Sequence, residues 1–134
     1  MASFVKFYPF VEALAEKVHN LGSDQLKVAL TNSAPSQSNA VLADITEINY
    51  TNCSSRNITT TSSSQSTGTY SLVTSDLTLT ASGGTVGAFR YIVLYNDTSA
   101  SDNLIGYYDY GSSITLNDTE TFTIDFGATT LTLA

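Results

Sequence analysis

Charged residues are scarce in this sequence, at 13% of 134 positions, about half the share usual in soluble domains. Ser, Thr and Asn take their place, and these suit turns and strands better than helix interiors. The basic residues are only Lys6, Lys17, Lys27, Arg56 and Arg90, and they are scattered. A phosphate-tracking surface needs clustered cations, so nucleic acid is not an expected partner. The acidic excess brings the net charge to −7, which favours solubility or a basic partner surface. Cys53 is the single cysteine, so an internal disulfide, and with it a disulfide scaffold, is excluded. No run approaches the ~20 apolar residues of a membrane span. Lys6, Pro9 and Glu12 interrupt the N-terminal hydrophobics, so no leader is expected there. The expectation is a soluble protein made in the cytoplasm, without a membrane partner.

What is present reads as one domain, 1–134, large enough to bury roughly two-thirds of its unfolded surface. Its most structured stretch is Ala88–Asp97, in which Phe89 to Tyr95 are almost all aromatic, β-branched or leucine. Gly87 and Asn96-Asp97 bracket it, which predicts a central strand. Alternation sends Phe89, Tyr91, Val93 and Tyr95 one way and Arg90, Ile92 and Leu94 the other. Both faces are largely apolar, so both need covering, one by a second sheet and one by a helix or a neighbouring subunit. Arg90, charged on the Ile92/Leu94 side, points to that side as the one leaving the monomer's core, where a carboxylate at a subunit boundary would satisfy it.

One helix is expected, from about 9 to 21. Pro9 suits a first helical turn. Phe10, Val11, Leu14, Val18 and Leu21 recur at helical spacing, and Gly22 reads as a left-handed cap. Strands follow at Leu26–Thr31, Thr69–Val73, Leu77–Ala81, Leu104–Tyr110, Ile114–Leu116, Thr121–Phe126 and Thr130–Leu133. Residues 40–48 fit either a helical turn ending at Asp44 or a short strand. Residues 49–67 are low in complexity, with 14 of 19 being Ser, Thr or Asn. They read as a loop leading to a polar edge strand near Arg56–Ser63, with a disordered tether as the alternative. Ser82-Gly83-Gly84 makes a tight turn, Gly111 a break, and Asn117–Glu120 a hairpin turn. About ten short strands imply a mainly β fold, an antiparallel β-sandwich, jelly-roll-like, carrying the helix on residues 26–133.

Chemistry is hard to find. His19 is the only histidine and is expected to sit at the helix C-terminus, where the dipole favours it. A metal site built on it lacks partners nearby. Cys53 has no basic neighbour before Arg56, so it is not expected to be reactive. No Gly-x-Ser-x-Gly elbow occurs. Asp97, Asp102 and Asp109 flank the central strand's exit, and converging carboxylates could act on a glycosidic bond or hold calcium. Turn capping is the commoner role for Asp. No catalytic residue, metal or cofactor is therefore assigned. Asn49, Asn52, Asn57, Asn96 and Asn117 open N-x-Ser/Thr triplets, which chance explains in a chain this rich in Ser and Thr. Tyr107, Tyr108 and Tyr110 suit a core margin or an interface rim, because the ring buries while the hydroxyl stays wet. The candidate interface is Arg90, Ile92, Leu94, Tyr107, Tyr108 and Tyr110.

Several stretches resemble a family of small tailed-bacteriophage structural proteins: Val18–Asn32, Thr61-Ser-Ser-Ser-Gln65 leading to Gly68-Thr-Tyr70, Ala81–Gly84 with Phe89–Asp97, and Asp109–Leu116. The resemblance spans almost the whole chain, and its motifs are structural. It implies a non-enzymatic virion component. The foremost expectation is a decoration (cement) protein on the capsid exterior, trimeric and bound to the major capsid protein. A head–tail or tail accessory protein is the alternative. A carbohydrate-binding module using Tyr107, Tyr108 or Tyr110 is the rival from another class, weakened by the absence of Trp.

Overall fold

The computed structural model describes residues 2–134. Among them ten strands and one α-helix form, in chain order β1 (Val5–Lys6), α1 (Tyr8–Ala15), β2 (Leu26–Thr31), β3 (Asn57–Ile58), β4 (Thr60–Ser66), β5 (Thr69–Thr74), β6 (Leu77–Thr80), β7 (Val86–Asn96), β8 (Leu104–Leu116), β9 (Thr121–Ile124) and β10 (Leu131–Leu133). All strand pairs are antiparallel. They make a five-stranded sheet ordered β1-β8-β7-β2-β3, a three-stranded sheet β10-β5-β4 and a ribbon β6-β9. The fold is a mainly β, antiparallel sandwich with one helix, as the strand pattern predicts. No helix among the described residues is long and apolar enough to cross a membrane.

Strand β7 is the middle of the large sheet. It pairs with β2 in an unbroken ladder from Leu26↔Asn96 to Thr31↔Tyr91, and with β8 on its other side. Phe89, Val93 and Leu94 are fully buried, and Ile92 and Tyr95 nearly so. Both faces are thus covered within one chain, as an apolar strand of this kind demands. This corrects the expectation that the Arg90/Ile92/Leu94 side leaves the monomer's core. Nor does strict alternation hold: the pairing slips between Phe89 and Tyr91, and Phe89 packs edge-on against Phe122 of β9, 5.4 Å between ring centres.

The slip has a counterpart in β8. Tyr91 faces Asp109 but Phe89 faces Ile114, so Tyr110–Ser113 form an outward bulge, all four exposed. Gly111, with φ +98°, supplies the left-handed residue there. Its Cβ-free backbone lets one long strand bend and continue. The expected break at Gly111 is therefore a bulge. The Asn117–Glu120 turn does form, Glu120 N–H donating to the Asn117 carbonyl at 2.9 Å. It joins no hairpin: β8 ends against β7, whereas β9 pairs with β6. The turn carries the chain from one layer to the other.

The helix is shorter than its apolar spacing implies. Pro9 lies in its first turn as expected, but α1 ends at Ala15 and Lys17 takes φ +69°. Residues 20–24 prefer local bonds: Asn20 N–H donates to Asp24 Oδ2 and Gly22 N–H to Asn20 Oδ1. Side chains of this type compete with the helix for its own backbone. Phe10 and Leu21 enter the core, while Val11 and Val18 remain exposed. Residues 40–48 resolve as a 3₁₀ turn, Leu42–Asp44. Asp44 accepts N–H bonds from Ala40 and Val41, and these hold its carboxyl below the usual range.

The polar segment is ordered, with β3 and β4 in it, so the edge-strand reading holds over the tether. Beyond β3 the rim of β2 is closed by backbone bonds, Val28 N–H to the Arg56 carbonyl and Ile48 N–H to the Leu30 carbonyl, both 3.0 Å, and by side chains. Arg56 donates to the Val28 carbonyl at 2.6 Å, lies 3.6 Å over the Tyr50 ring and pairs with Glu47 at 4.0 Å. Tyr50 receives the Leu30 N–H at 2.8 Å and donates to Glu47. Burial first, with the Glu47 contact adding, raises the Tyr50 hydroxyl far above its ordinary pKa. A sheet edge stoppered this way is poorly suited to unwanted strand pairing.

Candidate interaction site

Three of the six candidate interface residues meet at one place. Ile92, Tyr108 and Tyr110 line an apolar slot of about 150 Å³ with Phe122, Ile124 and Asp125 of the chain around β9. Ile92 faces Tyr108 across the β7–β8 ladder, and the β8 bulge holds Tyr110 outward. Tyr110 meets Phe122 edge-on at 5.2 Å, and Tyr108 packs against Phe4 at 5.6 Å and Phe126 at 6.3 Å. The slot is graded. Tyr108 is 7% exposed at its floor and Tyr110 51% exposed at its rim. Burial, helped by the Asp125 charge, pushes the Tyr108 hydroxyl up to about 12. The floor is a neutral phenol at any physiological pH.

The other three candidates lie elsewhere. Leu94 is fully buried and offers no surface. Ile92 and Tyr108, although they line the slot, are also buried, so Tyr110 and Phe122 present most of what a partner would meet. Tyr107 is half-buried between Phe7 and Tyr91. Arg90 is satisfied by its own chain, corrected from the expected partner at a subunit boundary: it grips Asp109 through Nε at 2.8 Å and Nη2 at 3.1 Å. Phe122, Ile124 and Asp125 were not singled out from sequence. The alternation of Thr121–Phe126 shows a strand but carries no sign that it crosses to the edge of β8.

The three carboxylates do not converge. Asp97 and Asp102 belong to the β7–β8 connection, whereas Asp109 stands opposite Tyr91, four residues along β7 from Tyr95, about 13 Å at strand spacing. No group of three or more His, Cys, Asp or Glu among the described residues is placed to hold a metal ion. Cys53 is half-buried, and that burial raises its thiol pKa. His19 is no helix cap. It is buried against Phe10 with its Nδ1 3.0 Å from Asn96 Nδ2, because the chain turns inward after Ala15.

No protein-family model, curated protein or solved structure matches this chain. The functional reading therefore rests on its residues and their arrangement.

Proposed function

We propose that this chain is a non-enzymatic virion structural protein, a decoration subunit on the outer surface of a tailed-phage head. In this reading it binds the major capsid protein and associates as a trimer. The stretches quoted from the sequence support the viral context. The observation that carries the mode of attachment is the Tyr110–Phe122 slot. An exposed aromatic ring over an apolar hollow is the kind of anchor that dominates protein interfaces. Of the large apolar side chains exposed among the described residues, Tyr110 is the one set over a hollow of this kind, and Tyr8, Val11 and Val18 lie on or after α1. Tyr8 and Val11, exposed at 62% and 52% on one side of α1, supply a second apolar patch for contacts between subunits. A stable trimer contact should bury more than ~1,000 Å².

The test is co-sedimentation of the purified protein with capsids that lack it, combined with light scattering for its mass. Saturable binding of a trimer, lost in Tyr110→Ala, supports the reading. A monomer that ignores capsids overturns it. Copy number per virion separates a head location from a tail one.

The half-exposed Tyr110 ring also favours a second reading, a sugar platform on the virion surface. Binding to a glycan array, lost with the same substitution, would establish that reading instead.

A further inference from the structure

Asn96 is fully buried at the end of β7, and its amide has one orientation. Its Oδ1 accepts the N–H groups of Thr98 at 2.9 Å and Ser99 at 3.2 Å. The NH₂ end therefore faces the other way, donating to Asp24 Oδ2 at 2.7 Å and toward His19 Nδ1 at 3.0 Å. A donor at that position requires His19 Nδ1 to be bare, so the neutral ring carries its proton on Nε2. Nε2 is buried and has no hydrogen-bond partner among the described residues. The ring is 6% exposed and packs at a tilt against Phe10, 5.1 Å between ring centres.

The surroundings offer an incoming proton little. From the turn before β2 comes Asp24, whose Oδ2 is already shared by Asn96 and the Asn20 N–H. Lys17, after α1, and Tyr70, from β5, line the same hollow as His19, with Leu14 from α1 and Leu133 from β10. A proton on Nδ1 would face the N–H that Asn96 directs at it, the other N–H being committed to Asp24. Turning the amide over would sacrifice its bonds to Thr98, Ser99 and Asp24. The ring itself leaving is the alternative, and it would uncover Phe10.

We propose that the His19–Asn96 contact is a proton-sensitive latch. At neutral pH it pins residues 16–24 and the β7–β8 connection to the sheet, and on acidification it lets them go. Burial lowers the His19 pKa below 6.5 and the Asp24 charge only partly opposes this. The open state therefore binds the proton better. As pH falls below about 6.5 the opening equilibrium should rise by up to about tenfold per pH unit, until the closed state also protonates.

His19 is the only histidine, so its ring resonances are unambiguous. NMR of the full chain between about pH 7 and about pH 5 should show the Nε2–H tautomer at the upper end. Amide protection in residues 16–24 and at Thr98 and Ser99, corrected for intrinsic exchange, should fall with pH while β2 stays protected. His19→Gln, uncharged and able to accept from Asn96, should keep its protection. An Nδ1–H tautomer, protection that is flat with pH, or an equal loss in His19→Gln overturns the latch. If His19→Gln does not fold, the tautomer and the wild-type profile still decide.

Discussion

Arg90 holds Asp109 with both carboxylate oxygens, across the two strands that form the centre of the large sheet. Asp109 Oδ1 also accepts the Gly111 N–H at 2.8 Å, so the pair anchors the start of the β8 bulge that presents Tyr110. The Arg90 bond first, and the Gly111 bond after it, depress the Asp109 pKa below 3.8. A depressed carboxylate stabilises the fold above its unfolded pKa, and that contribution fades as pH falls through the folded value. Asp109→Asn should lower the melting temperature slightly at neutral pH. The deficit should shrink in high salt, because the pair is partly solvated, and vanish in strong acid. Melting curves at several pH values and salt concentrations check this.

Asn96 serves four partners from a fully buried position. Asn96→Ala strands the Thr98 and Ser99 N–H groups and leaves Asp24 Oδ2 with the Asn20 N–H as its remaining donor. Urea denaturation should register a loss of about 3 kcal/mol, beyond the usual range for a surface change.

Gly106 lies beneath the Phe4 ring, and a Cβ there would also stand 2.8 Å from the Val5 carbonyl oxygen. Gly106→Ala should cost about 1–3 kcal/mol by overpacking. It should also loosen β1, visible as faster amide exchange at Phe7, whose N–H bonds the Ile105 carbonyl at 3.2 Å.

Tyr50→Phe removes the hydroxyl that receives the Leu30 N–H. The expected cost is about 1–3 kcal/mol. The Leu30 N–H left open on the rim of β2, beside the Val28 and Ile48 backbone bonds that remain, should raise the tendency to aggregate slightly, measured by turbidity on slow heating.

Tyr110→Ala separates binding from folding. Its ring is exposed on a bulge outside the core, so stability should change by less than about 1 kcal/mol. Capsid binding should nonetheless be lost. A variant that binds normally would remove the slot from the attachment surface.

The strand pattern was legible because alternation and turn residues act over a few positions. β2 begins and ends where its apolar alternation does, and β5, β6 and β10 lie within a residue or so of their expected bounds. The candidate site was half legible. Ile92, Tyr108 and Tyr110 belong to one slot, but Leu94 and Arg90 are spent inside the chain. The misreadings share a cause. Helical spacing through Leu21 competes with Asn20 and Asp24, whose side chains bond their own backbone. Gly111 looks like a stop until a partner strand is present to carry β8 past it.

By itself, then, the sequence determined a disulfide-free, mainly β chain with one proline-started helix and an unusually apolar strand at Ala88–Asp97. Those properties follow from residue types and short spacings. Only the tertiary structure decided that both faces of that strand are covered at home, that Arg90 answers Asp109, and that β9 crosses to β6 to close an aromatic slot beside Tyr110. The physical reason is that strand pairing joins residues far apart in the chain. Whether an apolar side chain becomes core or surface depends on which strand arrives opposite it.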